Sequence, residues 1–379
     1  MNKLHLYNRE NIAQAKFPGT EDGEYAKRYL VPIVEQGPGF YIDNVFGEMT
    51  VLIIDERYVL PVFVPEINDC NSYVASFYSH YISYCAEELK ELGNKWLEAA
   101  GKLLLKAIGV YFRAARTDRC VQVNNWLLST NLYADIPVGL VAEITVFLKH
   151  RYRGYAIAWM SVNQEITSDL YCELKRQNYL FLPSRSIYIF KHEHKIKKVR
   201  ETLKKDIKLK EESRFMISET AGIPHVSSVL SLYRQLYIEK YSIYNPQFNE
   251  HFMALLIKKQ LVNFSLILDE GNVVGMSAYY KRNRVMTTPL LGYAGHYPQE
   301  DGLYRILSVD LIEKARKEDL ILHQSAGAGN FKRWRGSSND YEYRVLDVSG
   351  IPKLQRSAYY LLKLVLETIA VPLMKRKKL

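Results

Sequence analysis

The sequence predicts an α/β protein of two domains, each built as a mixed twisted sheet flanked by helices. The chain has 379 residues and 48% hydrophobic content, which is enough for about two hydrophobic cores. Short apolar runs alternate with amphipathic stretches both before and after a highly charged segment, 191–214. This alternation of strand-like and helix-like segments is typical of a mixed α/β sheet.

The first half of the chain predicts strands, helix, strand, helix, strand, helix and strands, in that order. Apolar runs split by turn-like residues predict a β-meander over 39–66, and apolar residues at helical spacing predict a helix over 74–109. The remaining predicted elements are a strand at 121–130, a helix at 137–152, a strand at 155–162, a helix at 167–178 and a strand pair over 179–190 that breaks at Pro183.

The segment KHEHKIKKVRETLKKDIKLKEESR, 191–214, marks the predicted domain boundary. It is charged almost throughout, which is typical of a solvated helical connector. Its basic and acidic residues are interleaved, so a connector is favoured over a nucleic-acid-binding stripe. The predicted regions are an N-terminal domain, 1–190, the connector, 191–214, a C-terminal domain, 215–350, and a basic amphipathic C-terminal helix, 351–379.

After the connector the order of elements partly recurs, without an exact sequence repeat. The segment 263–294 predicts three strands, with DEGN as a hairpin turn. The other predicted elements are helices at 224–242, 248–261 and 303–319, and strands at 320–326 and 341–348.

Charge, cysteine spacing and the lack of long apolar runs indicate which ligands and which cellular location to expect. Lys and Arg outnumber Asp and Glu by 51 to 41, and the formal charge of +10 favours phosphates, nucleic acid or anionic lipid. The four cysteines have no metal-site spacing, so we expect no bound metal. The N-terminus has no apolar signal region and no apolar run reaches a spanning length, which predicts a cytoplasmic protein.

The C-terminal helix admits two interpretations. It is apolar and ends in MKRKKL, so it could contact an anionic membrane surface or dock on a domain. Docking is favoured because Lys363 and Glu367 interrupt its apolar face.

The most informative window is 285–343. A predicted strand runs into GHYPQEDG, and a helix begins at Leu303, so its N-terminal N–H groups could bind an anion. Arg305, in the first turn, opposes the helix dipole unless it pairs with a bound phosphate or with Asp301. An ordinary strand-turn-helix connection is the alternative. The candidate phosphate-binding residues are Tyr297, Gly302, Leu303, Tyr304 and Arg305.

The segment SAGAGNFKRWRG follows the next predicted strand. Its small residues indicate close approach to the backbone, and its cations indicate a ligand with negative charge. We expect Phe331 to anchor the segment in the core and Lys332 to point the other way, where it could stabilise charge on an acyl carbonyl. The alternative for Lys332 is a surface residue or a pair with Asp340 or Glu342.

The order of elements, together with GHYPQEDGLYRIL, SAGAGNFKRWRG and YEYRV, resembles the GNAT acyltransferase fold. The whole chain resembles the tandem GNAT-like proteins of bacteria, which include the Fem peptidyltransferases and the cellulose-biosynthesis-type acetyltransferase-like domains. Phe331-Lys332 followed by Gly336 is similar to the Phe-Lys…Gly segment of Fem enzymes. GHYPQEDG departs from the glycine-rich phosphate loop of typical GNAT enzymes, and the chain lacks the long coiled-coil insertion of some Fem enzymes.

The resemblance implies transfer of an acyl group from acyl-CoA to an amine on a small molecule or peptide. Aminoacyl-tRNA is the alternative donor, with tRNA then a partner, and a catalytically inactive binding protein is a third hypothesis. The candidate catalytic residues are Lys332, acting electrostatically, with His296 and Glu342 as bases. Glu300 is a further candidate, whereas His323 lies among apolar residues and is better explained as a core histidine.

Overall fold

The computed structural model describes residues 2–191 and 197–377. The chain forms two compact units. Unit 1 contains Met1–Ser184, Tyr241–Phe248 and Tyr343–Pro372, and unit 2 contains Arg185–Lys240, Asn249–Glu342 and Leu373–Leu379.

The predicted domain boundaries differ from these units in several places. Residues 185–190, inside the predicted N-terminal domain, belong to unit 2. The segments Tyr241–Phe248 and 343–350, inside the predicted C-terminal domain, belong to unit 1, and the predicted C-terminal helix is divided between unit 1, up to Pro372, and unit 2. The segments that rejoin unit 1 late in the chain do so through contacts between residues far apart in sequence. For example, the side-chain amide of Asn44 donates to the Asn245 carbonyl at 2.9 Å. Residues 192–196 of the predicted connector and 378–379 of the predicted C-terminal helix lie outside the described residues.

Twelve strands occur within the described residues. Most carry the β-branched and aromatic residues that favour strands. In chain order they are β1 (Leu4–Tyr7), β2 (Gly47–Ile54), β3 (Tyr58–Pro65), β4 (Cys120–Val123), β5 (Ala156–Val162), β6 (Leu180–Phe190), β7 (Met216–Ser218), β8 (Asn263–Asp269), β9 (Asn272–Arg282), β10 (Val285–Tyr293), β11 (Ile321–His323) and β12 (Ser338–Asp347).

The same part of the chain contains twelve α-helices, joined in places by short 3-10 or π-helical turns. Several begin at a capping side chain, such as that of Thr20, which accepts from the Gly23 N–H at 3.1 Å. The helices are α1 (Glu21–Gln36), α2 (Cys85–Glu88), α3 (Lys95–Ala115), α4 (Leu140–Arg151), α5 (Ser168–Arg176), α6 (Lys197–Glu212), α7 (Val226–Tyr233), α8 (Glu250–Lys258), α9 (Leu303–Lys317), α10 (Gly329–Trp334), α11 (Lys353–Val365) and α12 (Val371–Lys377).

Unit 1 is a mixed sheet with strands in the order β1-β2-β3-β4-β5, followed by residues 343–347 of β12. β4 and β5 are parallel and are connected through α4, whereas the other pairs are antiparallel. A parallel pair needs such a crossover because the chain must return to the same end of the sheet.

Both faces of the unit 1 sheet are buried. Along β5, Ala158 and Met160 pack into one core with α3 and α11, and Ile157 and Trp159 pack into another with α4. Successive side chains of a strand point to opposite faces, so one continuous apolar run serves both cores.

Unit 2 repeats this plan. Its strand order is residues 185–190 of β6, then β11-β10-β9-β8-β7. β10 and β11 are parallel and are connected through α9, and the other pairs are antiparallel. The predicted α/β class, with two mixed sheets flanked by helices, is therefore confirmed.

The helix α6 is a packed element of unit 2 and not a solvated connector. Val199 and Leu203 are buried in a core with Leu311 and Ile312 of α9. The charged composition of 191–214 did not indicate this apolar face of α6. Only a few apolar residues of α6 are needed, because α9 supplies the other apolar residues of the core.

Other predicted elements differ in extent. The 39–66 meander has two strands, β2 and β3, and the strand predicted at 121–130 ends at Val123, where Asn124 has φ 60°. The helix predicted over 74–109 is broken at Gly93, which has φ 66°. The predicted break at Pro183 is wrong, because β6 runs through it.

The C-terminal helical segment Lys353–Lys375 is long and apolar enough, by length and composition, to cross a membrane, although no run of spanning length was predicted. Only 22% of its most apolar stretch is buried. One side of α11 is nevertheless docked, with Tyr359 and Leu362 in the core shared with α3.

Candidate functional site

The segment after β11 turns back on itself through left-handed backbone. Ser325, Gly327 and Ala328 have φ values of 56°, 78° and 49°. Each non-glycine residue in this region costs about 1 kcal/mol or more, so the segment keeps its shape only because its surroundings hold it. The turn leads directly into α10.

Lys332, on α10, supplies the contact that holds this turn. Its Nζ donates to the carbonyls of Gln324 at 2.6 Å and Ala326 at 2.7 Å, and reaches that of Ser325 at 3.5 Å. Nζ also lies 5.4 Å from the ring centroid of Tyr188. Burial, followed by the charge of Arg185, lowers the pKa of this amine to about 7.

The predicted orientation of Phe331 and Lys332 is wrong. Lys332 is 6% exposed and points inward, while Phe331 is half-buried. The Phe331 ring contacts Tyr304, with centroids 4.7 Å apart, and the Arg335 guanidinium lies 3.3 Å from its centroid. The lysine is the inward residue because the strained turn offers backbone carbonyls that need a donor.

Arg185 and Glu342 form a buried ion pair beside this turn. Arg185 Nε donates to Glu342 Oε1 at 2.9 Å, and a second guanidinium nitrogen donates to Oε2 at 3.2 Å. The guanidinium also donates to Ser325 Oγ at 3.0 Å, which connects the pair to the turn. Two-point pairing of this kind fixes the orientation of both groups.

His323, the last residue of β11, is buried against the same groups. Its Nδ1 accepts from the Ser325 N–H at 3.1 Å, so the neutral ring carries its proton on Nε2. Nε2 has no hydrogen-bond partner among the described groups and lies 3.8 Å from Glu342 Oε2. Burial, followed by the charges of Arg185 and Lys332, lowers the pKa of the ring to about 3, so the ring is neutral and does not form an ion pair.

Four titratable side chains therefore meet at the end of β11: Lys332, Arg185, Glu342 and His323. Of the predicted catalytic residues, the structure brings Lys332 and Glu342 into this cluster. Cationic groups in a buried setting can stabilise a developing oxyanion, and a carboxylate beside an imidazole can take up a proton. Within residues 2–191 and 197–377, no group of three histidine, cysteine or acidic side chains is placed to hold a metal ion.

His296 occupies a different setting. It lies on the exposed turn after β10, with its ring centroid 4.8 Å from that of Tyr297. The Tyr297 hydroxyl donates to Asp269 Oδ2 at 2.9 Å, and this bond raises the pKa of the phenol. Among the described contacts, none connects His296 to Lys332 or Glu342.

The first residues of α9 are packed against α6. Gly302 has φ 65°, and a Cβ added there would lie 2.6 Å from Leu209 Cδ2. Leu303 is buried, and the Tyr304 ring packs between Tyr293 and Phe331 at 5.9 and 4.7 Å. A side chain from α6 thus occupies the space beside the first turn.

Arg305 pairs with a carboxylate of the chain itself. Two of its guanidinium nitrogens donate to Asp206 Oδ1 at 2.8 and 2.6 Å, and Asp206 Oδ2 accepts from Arg335 Nε at 2.5 Å. Asp206 is 1% exposed. The expected pair with Asp301 does not form, since Asp301 contacts Arg214 at 3.2 Å. Arg305 as a phosphate ligand remains a prediction.

Sequence reasoning missed two residues of this region, Arg185 and Asp206. Arg185 stands alone as a charge in the apolar strand YLFLPSRSIYIF, and a lone charge in a buried strand is a usable signal. Asp206 is one of many charges in α6, and nothing in the local sequence distinguishes it.

No protein-family model matches the sequence, and no curated protein matches it.

Solved structures provide a comparison of architecture. A conserved protein of unknown function from Bacteroides thetaiotaomicron has 10% identity and a TM-score of 0.47, covering 91% of this chain and 99% of that one. A tandem GNAT protein from the clavulanic acid biosynthesis pathway has 6% identity and a TM-score of 0.41, covering 91% and 98%. FemX has 7% identity and a TM-score of 0.44, covering 60% and 79%.

The chain is similar to tandem GNAT proteins. Tandem GNAT and Fem proteins are thus among the structures that it matches, as its sequence indicated. Similarity at this level carries no argument about chemistry, so the donor and acceptor must be inferred from the residues themselves.

Proposed function

We propose that this chain is an N-acyltransferase that moves an acyl group from acyl-CoA to an amine on a small molecule or peptide. The observation that carries the proposal is the buried cluster at the end of β11, where Lys332 and the Arg185–Glu342 pair surround a strained turn. Strained backbone and perturbed titratable groups concentrate at functional sites.

The turn gives a ligand access to this cluster. Residues 326–328 are exposed and have no side chain larger than a methyl group. The carbonyl of Ala326 is itself a partner of Lys332 Nζ, at 2.7 Å. An acyl group lying on residues 326–328 would therefore lie close to the buried amine of Lys332. Small side chains in this segment allow the acyl group to approach the backbone that closely.

Lys332 is suited to electrostatic stabilisation. Two of its three N–H donors make short bonds to carbonyls, while the third contact, to Ser325, is 3.5 Å long. The third donor is the one that a developing oxyanion could engage. Because the pKa is about 7, the charged form is present at neutral pH and falls away above it.

The reaction balances with these groups. A neutral acceptor amine attacks the thioester carbonyl, a C–N bond forms, and the C–S bond breaks to release CoA thiolate. The amine loses one proton, and the carboxylate of Glu342 accepts it. His323 is the neighbouring group, with its Nε2 3.8 Å from Glu342 Oε2. The thiolate is protonated from solvent.

Aminoacyl-tRNA is a second candidate donor, and the start of α9 favours it. Asp206 already neutralises Arg305, and Leu209 covers Gly302, so a pyrophosphate could bind there only if α6 moved. The ester end of a tRNA could reach the turn without occupying the start of α9. The surplus of positive charge suits such a polyanion.

The test combines ligand binding with turnover. Thermal unfolding is measured with acetyl-CoA, longer acyl-CoAs and free CoA, and thiol release is followed with a panel of amines. Thiol release that is lost in Lys332→Met and kept in the exposed control Lys317→Met supports the proposal, provided that both variants unfold at temperatures close to the wild type.

Other outcomes would favour a different donor or contradict the proposed transferase activity. No response to any acyl-CoA, together with co-purifying RNA that salt removes, would favour the tRNA-dependent transferase. No response to either donor would leave a binding protein without transfer activity.

A further inference from the structure

The helix α3 exposes an apolar stripe on the side opposite its buried face. Trp96, Leu103 and Val110 are 86%, 71% and 62% exposed, and their spacing of seven residues places them on one side of the helix. Ile108 and Phe112 of the same helix are buried in unit 1. The outer stripe therefore makes no contribution to the core.

A line of basic residues borders this stripe. Lys95, Lys102, Lys106 and Arg113 follow one side of α3, with Glu98 as the acidic residue of the helix. Long basic side chains beside an apolar stripe can place their alkyl stems on an apolar phase and their charges in water.

The helix α11 lies beside α3 and continues this surface. The Tyr111 hydroxyl and Ser357 Oγ are 2.7 Å apart, and both helices bury side chains in the same core. The outward side of α11 exposes several large apolar residues, namely Leu354, Tyr360, Leu361 and Leu364. We call the exposed sides of these two helices the α3–α11 surface.

Charge is concentrated on these two helices. Together they contain seven basic residues and one acidic residue, a net charge of +6, where the whole chain has +10. Large exposed apolar side chains on neighbouring helices mark a docking surface, and a basic border favours an anionic partner.

We propose that the α3–α11 surface docks on an anionic lipid bilayer. The exposed tryptophan, the apolar stripe and the adjoining lysines are the features of a helix that lies in the headgroup region. The proposal does not depend on the transferase activity, and it assigns the contact to two helices of unit 1 and not to the C-terminal helix alone.

The helices lie on the bilayer and do not cross it. Tyr359 donates its hydroxyl proton to the Thr117 carbonyl at 2.5 Å, and Gln355 donates to the Arg119 carbonyl at 2.9 Å. Insertion of α11 across a membrane would break these bonds and expose the core that Tyr359 and Leu362 complete.

The experiment measures flotation of the full chain with phosphatidylcholine vesicles that contain phosphatidylglycerol, and with phosphatidylcholine vesicles alone. We expect binding only to the anionic vesicles, weakening as salt is raised. The combined variant Trp96→Ser, Leu103→Ser and Val110→Ser should weaken binding on the order of 100-fold, since three side chains lose apolar burial. Lys95→Gln, Lys102→Gln and Lys106→Gln together should do the same on the order of 100-fold.

A matched control separates this surface from general hydrophobicity. Ile67→Ser, Met216→Ser and Ile243→Ser replace exposed apolar residues elsewhere and should bind as the wild type does. In a Trp334→Phe background, the emission of Trp96 should shift to the blue on binding, because Trp126 and Trp159 are buried already.

Three results overturn the proposal. The first is binding to anionic vesicles that neither triple variant weakens, and the second is no binding at all. The third is a self-associated wild type that the Trp96, Leu103 and Val110 variant converts to a monomer without any vesicle binding, which would make a second copy of the chain the occupant.

Discussion

Arg185 and Glu342 pair at two points, 2.9 and 3.2 Å, although 157 positions separate them in the chain. Their side chains are 13% and 5% exposed, so the pair is almost removed from water. Lys332 adds a further cationic group to these surroundings, and its pKa is lowered by burial first and by the Arg185 charge second. The carboxylate of Glu342 is therefore the counter-charge on which the buried cluster depends.

Glu342→Gln should lower the free energy of unfolding by about 3 kcal/mol, because a buried guanidinium loses its counter-charge. Urea unfolding gives the value. In the variant Arg185→Met with Glu342→Gln, the loss should be smaller than the sum of the two single losses.

The control for this experiment is Glu318→Gln, which removes the carboxylate from the exposed pair with Lys281. That change should have little effect, since water and salt screen an exposed pair. Equal losses for Glu342→Gln and Glu318→Gln would show that the Arg185–Glu342 pair is not buried in solution.

Lys332 should make stability depend on pH above neutrality. Its pKa is about 7 in the folded chain against 10.5 for an unperturbed lysine, so the unfolded chain binds more protons between these values. Stability contributed by this residue therefore rises with pH across that window and is lowest below it. Relative to Lys332→Met, the wild type should gain up to about 1.4 kcal/mol per pH unit there.

Urea unfolding at several pH values between 7 and 10.5 measures this difference. The exposed variant Lys317→Met should follow the wild-type profile. A wild-type profile parallel to that of Lys332→Met would mean that the amine keeps an ordinary pKa, and would remove the electrostatic argument for its role.

Local patterns accounted for much of unit 2. The three strands predicted over 263–294 are β8, β9 and β10, and the helix predicted over 303–319 is α9, because alternation and helical spacing are properties of adjacent residues. β4 ended earlier than predicted since Asn124 takes a left-handed conformation and Asn125 bonds the Val74 carbonyl, 51 positions away.

The candidate site was only partly predictable for the same reason. Lys332 was found through its segment, and Glu342 through the strand that follows. Arg185, the partner of Glu342, lies on β6, and the carboxylate partner of Arg305 lies on α6. Both pairings are set by how the strands and helices pack, which the local sequence does not encode.

Asp206→Asn should destabilise the fold and make a phosphate site available. The carboxylate accepts from Arg305 and Arg335, so its loss leaves two cations without a counter-charge and should cost about 3 kcal/mol. If the start of α9 binds acyl-CoA, the same variant should bind it more tightly than the wild type, because Arg305 is released.

Thermal unfolding of the wild type and the variant, with and without acyl-CoA, measures both the loss of stability and the change in acyl-CoA binding. Asp301→Asn, which removes a partner of the exposed Arg214, is the control and should change neither. Loss of stability without tighter binding would indicate that the pair is structural and that a donor phosphate binds elsewhere.

Gly302→Ala should test whether α6 is packed onto the start of α9. The glycine has φ 65°, which costs an alanine about 1 kcal/mol, and the new methyl group would also lie 2.6 Å from Leu209 Cδ2. The second cost is absent at Gly271, which has φ 84° and no atom within 4 Å of the place that a methyl group would take, so Gly271→Ala isolates the backbone contribution. We expect Gly302→Ala to lose more stability than Gly271→Ala by about 1–3 kcal/mol in urea unfolding. Equal losses would mean that Leu209 moves aside at little cost, and that the first turn of α9 is open to an anionic ligand.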